Sequence, residues 1–167
     1  MAGVRSDQEL IQASQRGDMQ AFEQLYLRYR DWVVALAYRF CGHHDDALDV
    51  LQETFAYVVR KLPGFVLSCQ FKTFLYPAVK HIALNRKRAS QAHVPLADSA
   101  DPPVETARSH GREVLAGLPD EQQEVVWLRF VDGMDLKDIA ETMGIPLGTV
   151  KSRLHTALQT LRSKRNL

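Results

Sequence analysis

Residues 135–161 read DLKDIAETMGIPLGTVKSRLHTALQTL, and this stretch decides the class of fold. From Asp135 onward the apolar residues Ile139, Ala140 and Met143 recur at helical spacing and point inward together. Gly144 stands where the chain must turn sharply, and glycine tolerates the left-handed backbone that ends a helix. Pro146 cannot continue a helix interior but suits the first turn of a new helix. That second helix carries Val150, Leu154, Ala157, Leu158 and Leu161 inward. Ala140, Gly144 and Val150 supply a small residue at a helix crossing, a turn glycine and an apolar anchor. The spacing predicts a helix-turn-helix.

The outward face of the second helix displays Thr149, Lys151, Ser152, Arg153 and His155. These side chains can donate to phosphates and base edges, and an arginine can grip guanine through two bonds. An ordinary helical hairpin with a solvated basic face would look similar. No acid follows residue 147, however, and that favours DNA. His155 alone fits a partly buried helix histidine equally well.

Working outward, the net charge of +1 hides a strong segregation of sign. Residues 41–60 carry a net −3 and residues 71–90 a net +5; residues 113–143 carry −6 and residues 147–167 carry +5. A chain that needed only solubility would intersperse its charges. Separated blocks predict two basic surfaces for a polyanion and acidic surfaces for another partner.

Residues 91–111 break the helical pattern with Pro95, Pro102 and Pro103 among small and polar residues, and read as a flexible linker. On either side the apolar spacing is helical: Phe22, Leu25, Tyr26 and Tyr29; then Leu48, Leu51, Phe55, Val58 and Leu62; later Val125, Leu128 and Val131. The expected fold is all-α: a lead-in helix in 1–20, a helical bundle in 21–90, a linker in 91–112 and the helix-turn-helix domain in 113–167.

Asp49, Gln52 and Glu53 fall at i, i+3 and i+4 in DDALDVLQETFAYVVRKL (45–62), side by side on one helical face. The pattern predicts an exposed acidic stripe, which is no setting for acid/base catalysis. It fits either a solvated face or a docking stripe for a basic partner. Downstream, Lys72, Phe74, Tyr76, Lys80, Arg86 and Arg88 interleave aromatics with cations, as single-stranded nucleic acid requires. A core role for Phe71, Phe74 and Leu75 competes with that reading. Pro77 predicts a kink or a restart of its helix.

The longest apolar run, near Trp32 to Ala37, is far short of the ~20 residues of a membrane span. The N-terminus lacks the apolar core of a signal peptide. Cys41 and Cys69 make neither a disulfide framework nor a zinc pattern, so they read as reduced thiols in a cytoplasmic protein. His43 and His44 beside Cys41 and Asp45 would point apart on a helix end, which disfavours a shared metal. No catalytic residue, metal or cofactor is expected.

In their order, the acidic-glutamine helix, the aromatic-basic helix, the Pro-rich linker and the final helix-turn-helix resemble an extracytoplasmic-function (ECF) sigma factor, the small two-domain branch of the sigma-70 family. The segment from Asp46 to Phe55, DALDVLQETF, is similar to the family's region 2 signature DAEDLVQETF. Leu118-Pro119 followed by Glu121-Gln122 and Val125 resembles the opening of region 4, and GTVKSRL (148–154) matches its recognition helix. The chain departs from the family at Thr73, Phe74 and His81, where Gly, Trp and Asn are usual, and at Thr156 and Leu158, where arginines are common.

The resemblance implies a non-enzymatic factor that lends promoter specificity to RNA polymerase. It implies that Asp49, Gln52 and Glu53 dock on the β′ clamp helices and that 62–80 opens the −10 element. It further implies that 147–158 reads the −35 element, with contacts to the β flap and regulation by an anti-sigma factor. The competing class is a stand-alone helix-turn-helix regulator of the LuxR type. That reading needs a sensor or receiver domain, and the N-terminal half shows no βα alternation.

Overall fold

The computed structural model describes residues 5–92 and 113–165. The described residues include seven helices of two turns or more and no strand. They are α1 (Asp7–Gln15), α2 (Met19–Cys41), α3 (His44–Lys61), α4 (Phe71–Ala92), α5 (Asp120–Phe130), α6 (Leu136–Met143) and α7 (Leu147–Arg165). The first four build one compact body and the last three another. The expected all-α fold of two small helical domains is therefore what the chain adopts. Beyond Gln91 and Ala92, which belong to α4, the expected linker lies outside the described residues.

In the N-terminal body α2 is the central member, packed against α1, α3 and α4, while α3 also packs on α4. Each helix starts or stops where local chemistry requires. Ser6 and Glu9 form a reciprocal capping box: the Ser6 hydroxyl accepts from the Glu9 N–H, and the Glu9 carboxylate accepts from the Ser6 N–H at 2.7 Å. Asp18 caps α2 by accepting from the Ala21 N–H at 3.0 Å. That helix ends on Gly42 at φ 84°, a left-handed backbone. The expected lead-in helix is thus an integral part of the body, burying Leu10, Ile11 and Ala13. Asp7 ties it down further, accepting from the buried Tyr29 hydroxyl and from Arg28 Nη1 at 2.5 Å.

The core is lined by Leu25, Val33 and Leu36 of α2, Val50, Phe55 and Val58 of α3, and Phe71, Leu75, Tyr76 and Val79 of α4. On α3 the buried face is Ala47, Val50, Leu51, Thr54, Phe55 and Val58. This corrects the expected apolar face at one residue: Leu48 is exposed, because the buried stripe runs one position earlier along the helix. Two threonine hydroxyls, of Thr54 and Thr73, are buried with no hydrogen-bond partner. Pro77 does not restart its helix, as the sequence suggested. Instead α4 runs unbroken from Phe71 to Ala92 with Pro77 inside it and exposed.

In the C-terminal body α7 packs against both α5 and α6. Leu115, Leu118, Val126 and Ala157 form one buried cluster, with Trp127, Leu154 and Leu161 packed on it. Leu128, Met134, Ile139 and Val150 are also buried. Val131 leaves the expected periodic face and is exposed, because α5 ends at Phe130 and Val131 only caps it.

Candidate interfaces on the two helical bodies

The helix-turn-helix is built as its turn chemistry dictates. Asp135 caps α6 by accepting from the N–H groups of Lys137 and Asp138 at 2.8 and 2.9 Å. Gly144 ends that helix at φ 64°, ψ 34°, and the Ile145 N–H returns to the Ala140 carbonyl at 3.1 Å. The Pro146 carbonyl then receives the N–H groups of Thr149 and Val150, which launches α7. Val150 and Ala157 are fully buried, so the anchor side of α7 is fixed against the body.

The opposite side of α7 presents Lys151, Ser152 and His155 to solvent, with Thr149 and Arg153 half-buried. Arg153 is not a free cation: its Nη2 is ion-paired with Glu121 of α5. The sequence places Glu121 in the region 4 opening but does not pair it with Arg153, because no spacing rule links positions in separate helices. On the acidic side of this body, burial raises the Asp138 carboxyl above the ordinary carboxylate value, with the charges of Asp135 and Glu141 adding to it.

On the N-terminal body, Gln52 and Glu53 are exposed and Asp49 is half-buried, all on the outer side of α3. The stripe is occupied by a cation from α4. Arg86 Nη1 donates to Asp49 Oδ2 at 2.5 Å, and its Nε and Nη2 both donate to Glu53 Oε1 at 3.0 and 2.6 Å. The hydrogen bond to Glu53 holds the Arg86 guanidinium above its ordinary value, against desolvation and with the charges of Asp49, Glu53 and Asp46 behind it. Arg86 was expected on the DNA side; the structure turns it to the acidic stripe.

The remaining residues of the aromatic-basic segment separate into two groups. Tyr76 is 1% exposed and sits in the core, its ring edge-on to Phe40 at 6.2 Å, which corrects its expected place among the DNA-facing rings. Helical period explains the correction: Phe71, Leu75, Tyr76 and Val79 share one face of α4. Phe74 is only half-buried, within an aromatic cluster of Tyr57, Phe65 and Phe71 at centroid distances of 6.0, 4.5 and 5.8 Å. Tyr57 and Phe65 were not foreseen, since they come from α3 and the loop after it. The ammonium groups of Lys72 and Lys80 lie over the rings of Trp32 and Phe40 at 5.5 and 5.7 Å, and Arg88 is exposed. Among the described residues no helix is long and apolar enough to cross a membrane.

Two compact all-helical bodies, the second a basic-faced helix-turn-helix, define the class of a DNA-binding transcription factor. Residues 25–93 match the family Sigma-70 region 2, and residues 112–161 match Sigma-70, region 4. The chain is 30% identical to the RNA polymerase sigma-H factor of Pseudomonas aeruginosa, over 96% of this chain and 94% of that one. It is 30% identical to the ECF RNA polymerase sigma-E factor of Haemophilus influenzae, over 98% and 97%. The structure of CnrH in complex with the cytosolic domain of CnrY superposes with a TM-score of 0.72 at 21% identity, over 96% and 97%, a likeness of fold. The chain belongs to the ECF branch of the sigma-70 family of RNA polymerase sigma factors. A LuxR-type regulator is not favoured, because the N-terminal body is itself a sigma-70 region 2.

Proposed function

We propose a division of labour between the two bodies, residue by residue. The N-terminal body, 21–90 with its lead-in 1–20, docks on the β′ clamp helices of core polymerase through Asp49, Gln52 and Glu53. It engages the −10 element through Lys72, Phe74, Lys80 and Arg88. The C-terminal body, 113–167, reads the −35 element through Thr149, Lys151, Ser152, Arg153 and His155. The observation that carries this reading is the order of the chain: an exposed acidic stripe precedes an aromatic-basic helix, and a basic-faced recognition helix follows.

The exposed apolar groove of the C-terminal body supports a protein partner there. It spans about 390 Å³ between α5 and α7, with Trp127, Phe130, Val131 and Leu158 in its lining. With Phe130 and Val131 60% and 52% exposed at its rim, this small apolar recess suits a side chain of the β flap or of an anti-sigma factor. The same role places the protein in the cytoplasm, with no catalytic step of its own.

Run-off transcription with core polymerase on a promoter library tests the reading. Gln52→Ala combined with Glu53→Lys is expected to lose β′ pull-down while keeping helicity. Lys151→Ala is expected to relax preference at particular −35 bases, by roughly 1–3 kcal/mol for a well-made base contact. Wild-type pull-down by the double variant, or a uniform loss on every −35 variant with Lys151→Ala, would overturn the corresponding half.

A further inference from the structure

Resting on the reading of Asp49 and Glu53 as polymerase-docking groups, we propose that Arg86 belongs to that docking surface and not to the −10 interface. It is a positioning residue that holds the two carboxylates ready for polymerase. The guanidinium arrives from α4, 37 positions beyond Asp49 and 33 beyond Glu53, and all three of its nitrogens end on these two acids. A base edge or phosphate would have to compete with both carboxylates for it.

The way the bonds are shared matters more than their number. Arg86 takes only Oδ2 of Asp49 and only Oε1 of Glu53. Arg86 leaves the second oxygen of each carboxylate to other donors, and both side chains remain about half exposed, at 48% and 49%. Each acid therefore keeps one acceptor for a partner while the other fixes its orientation. Without the guanidinium, two like charges one helical turn apart repel and spread over several rotamers. With it, the pair is pre-ordered and keeps a net charge of −1, so less side-chain freedom is lost on binding. The planar fork suits this task in a way a lysine ammonium does not.

The test is equilibrium binding of the full-length chain to core polymerase without DNA, with helicity and melting temperature as controls. Arg86→Ala is expected to weaken binding about fivefold, the scale of coupling between contacting residues. Arg86→Lys is expected to restore only part of that loss. In an Asp49→Asn, Glu53→Gln background, Arg86→Ala is expected to change affinity by less than about twofold, because its effect runs through those carboxylates. Holoenzyme assembled at saturating sigma is expected to bind a −10 element equally well with or without the arginine.

An unchanged or tighter affinity for Arg86→Ala, beside a weakened carboxylate variant, overturns the proposal alone. So does a full fivefold loss that persists in the carboxylate background, or a −10 defect in saturated holoenzyme. Wild-type affinity in the Asp49→Asn, Glu53→Gln variant overturns the docking reading and takes the proposal with it.

Discussion

Replacing Tyr76 with alanine is expected to cost the N-terminal body about 3–5 kcal/mol, the range for truncating a buried aromatic. The ring is 1% exposed and touches Phe40 edge-on. A buried aromatic removes roughly 150–250 Å² from water. At about 25 cal/mol per Å² that amounts to about 4–6 kcal/mol, an upper bound because the unfolded chain already hides some of this surface. In a body this small each 1 kcal/mol moves the midpoint by roughly 4–8 °C, so a drop of at least about 12 °C is expected. The two bodies can melt separately, so the probe must see only one of them. The two tryptophans are divided between the bodies as Trp32 and Trp127. Replacing Trp127 with phenylalanine leaves Trp32 as the reporter of the N-terminal transition. A shift below about 4 °C, the equivalent of about 1 kcal/mol, together with lost −10 binding would refute the burial argument. It would return Tyr76 to the DNA interface.

Two further outcomes are expected. Gly144→Val forces a β-branched side chain into a left-handed backbone at φ 64°, and is expected to destabilise the C-terminal body by about 1–2 kcal/mol, read from Trp127 fluorescence in denaturant with Trp32 replaced by phenylalanine; an unmoved midpoint would mean the turn relaxes at no cost. Glu9 and Asp18 both titrate below their ordinary values of 4.5 and 3.8, Glu9 chiefly through the Ser6 N–H and Asp18 chiefly through the Ala21 N–H. The unfolded chain therefore takes up protons first as pH falls. Their contribution is complete above those ordinary values and disappears as pH drops through the lower folded ones. Asp18→Asn is expected to flatten that acid-side loss in a pH series of Trp32 melts, and an unaltered slope would count against the cap.

How much of this was legible in the sequence depends on the distance over which each feature is encoded. The turn at Gly144 and Pro146 was legible because both residues constrain the backbone at their own positions. Helix faces were legible to within about one residue. Leu48 misled because Ala47, Val50 and Thr54 are small or polar, so the large leucine pulled the inferred stripe toward itself. Tyr76 misled because Lys72 and Lys80 stand four residues to either side of it, although its helical register with Phe71, Leu75 and Val79 already pointed inward. The pairs Arg86 with Asp49 and Glu53, and Arg153 with Glu121, were not legible at all. They join separate helices, and only the packing of those helices brings them within bonding distance.

The first helix also decides where the N-terminal half can be cut. The family match begins at residue 25, in the second turn of α2. A fragment trimmed to that point would lose Leu10 and Ile11 from against α2 and the carboxylate that receives the Tyr29 hydroxyl. That phenol is 9% exposed, and burial together with Asp7 holds its proton more tightly than usual. Stranding such a donor costs roughly 1–3 kcal/mol before the lost apolar contacts are counted. Expression boundaries for the isolated half therefore belong ahead of Ser6, and a fusion partner is better attached upstream of that serine than spliced into α1.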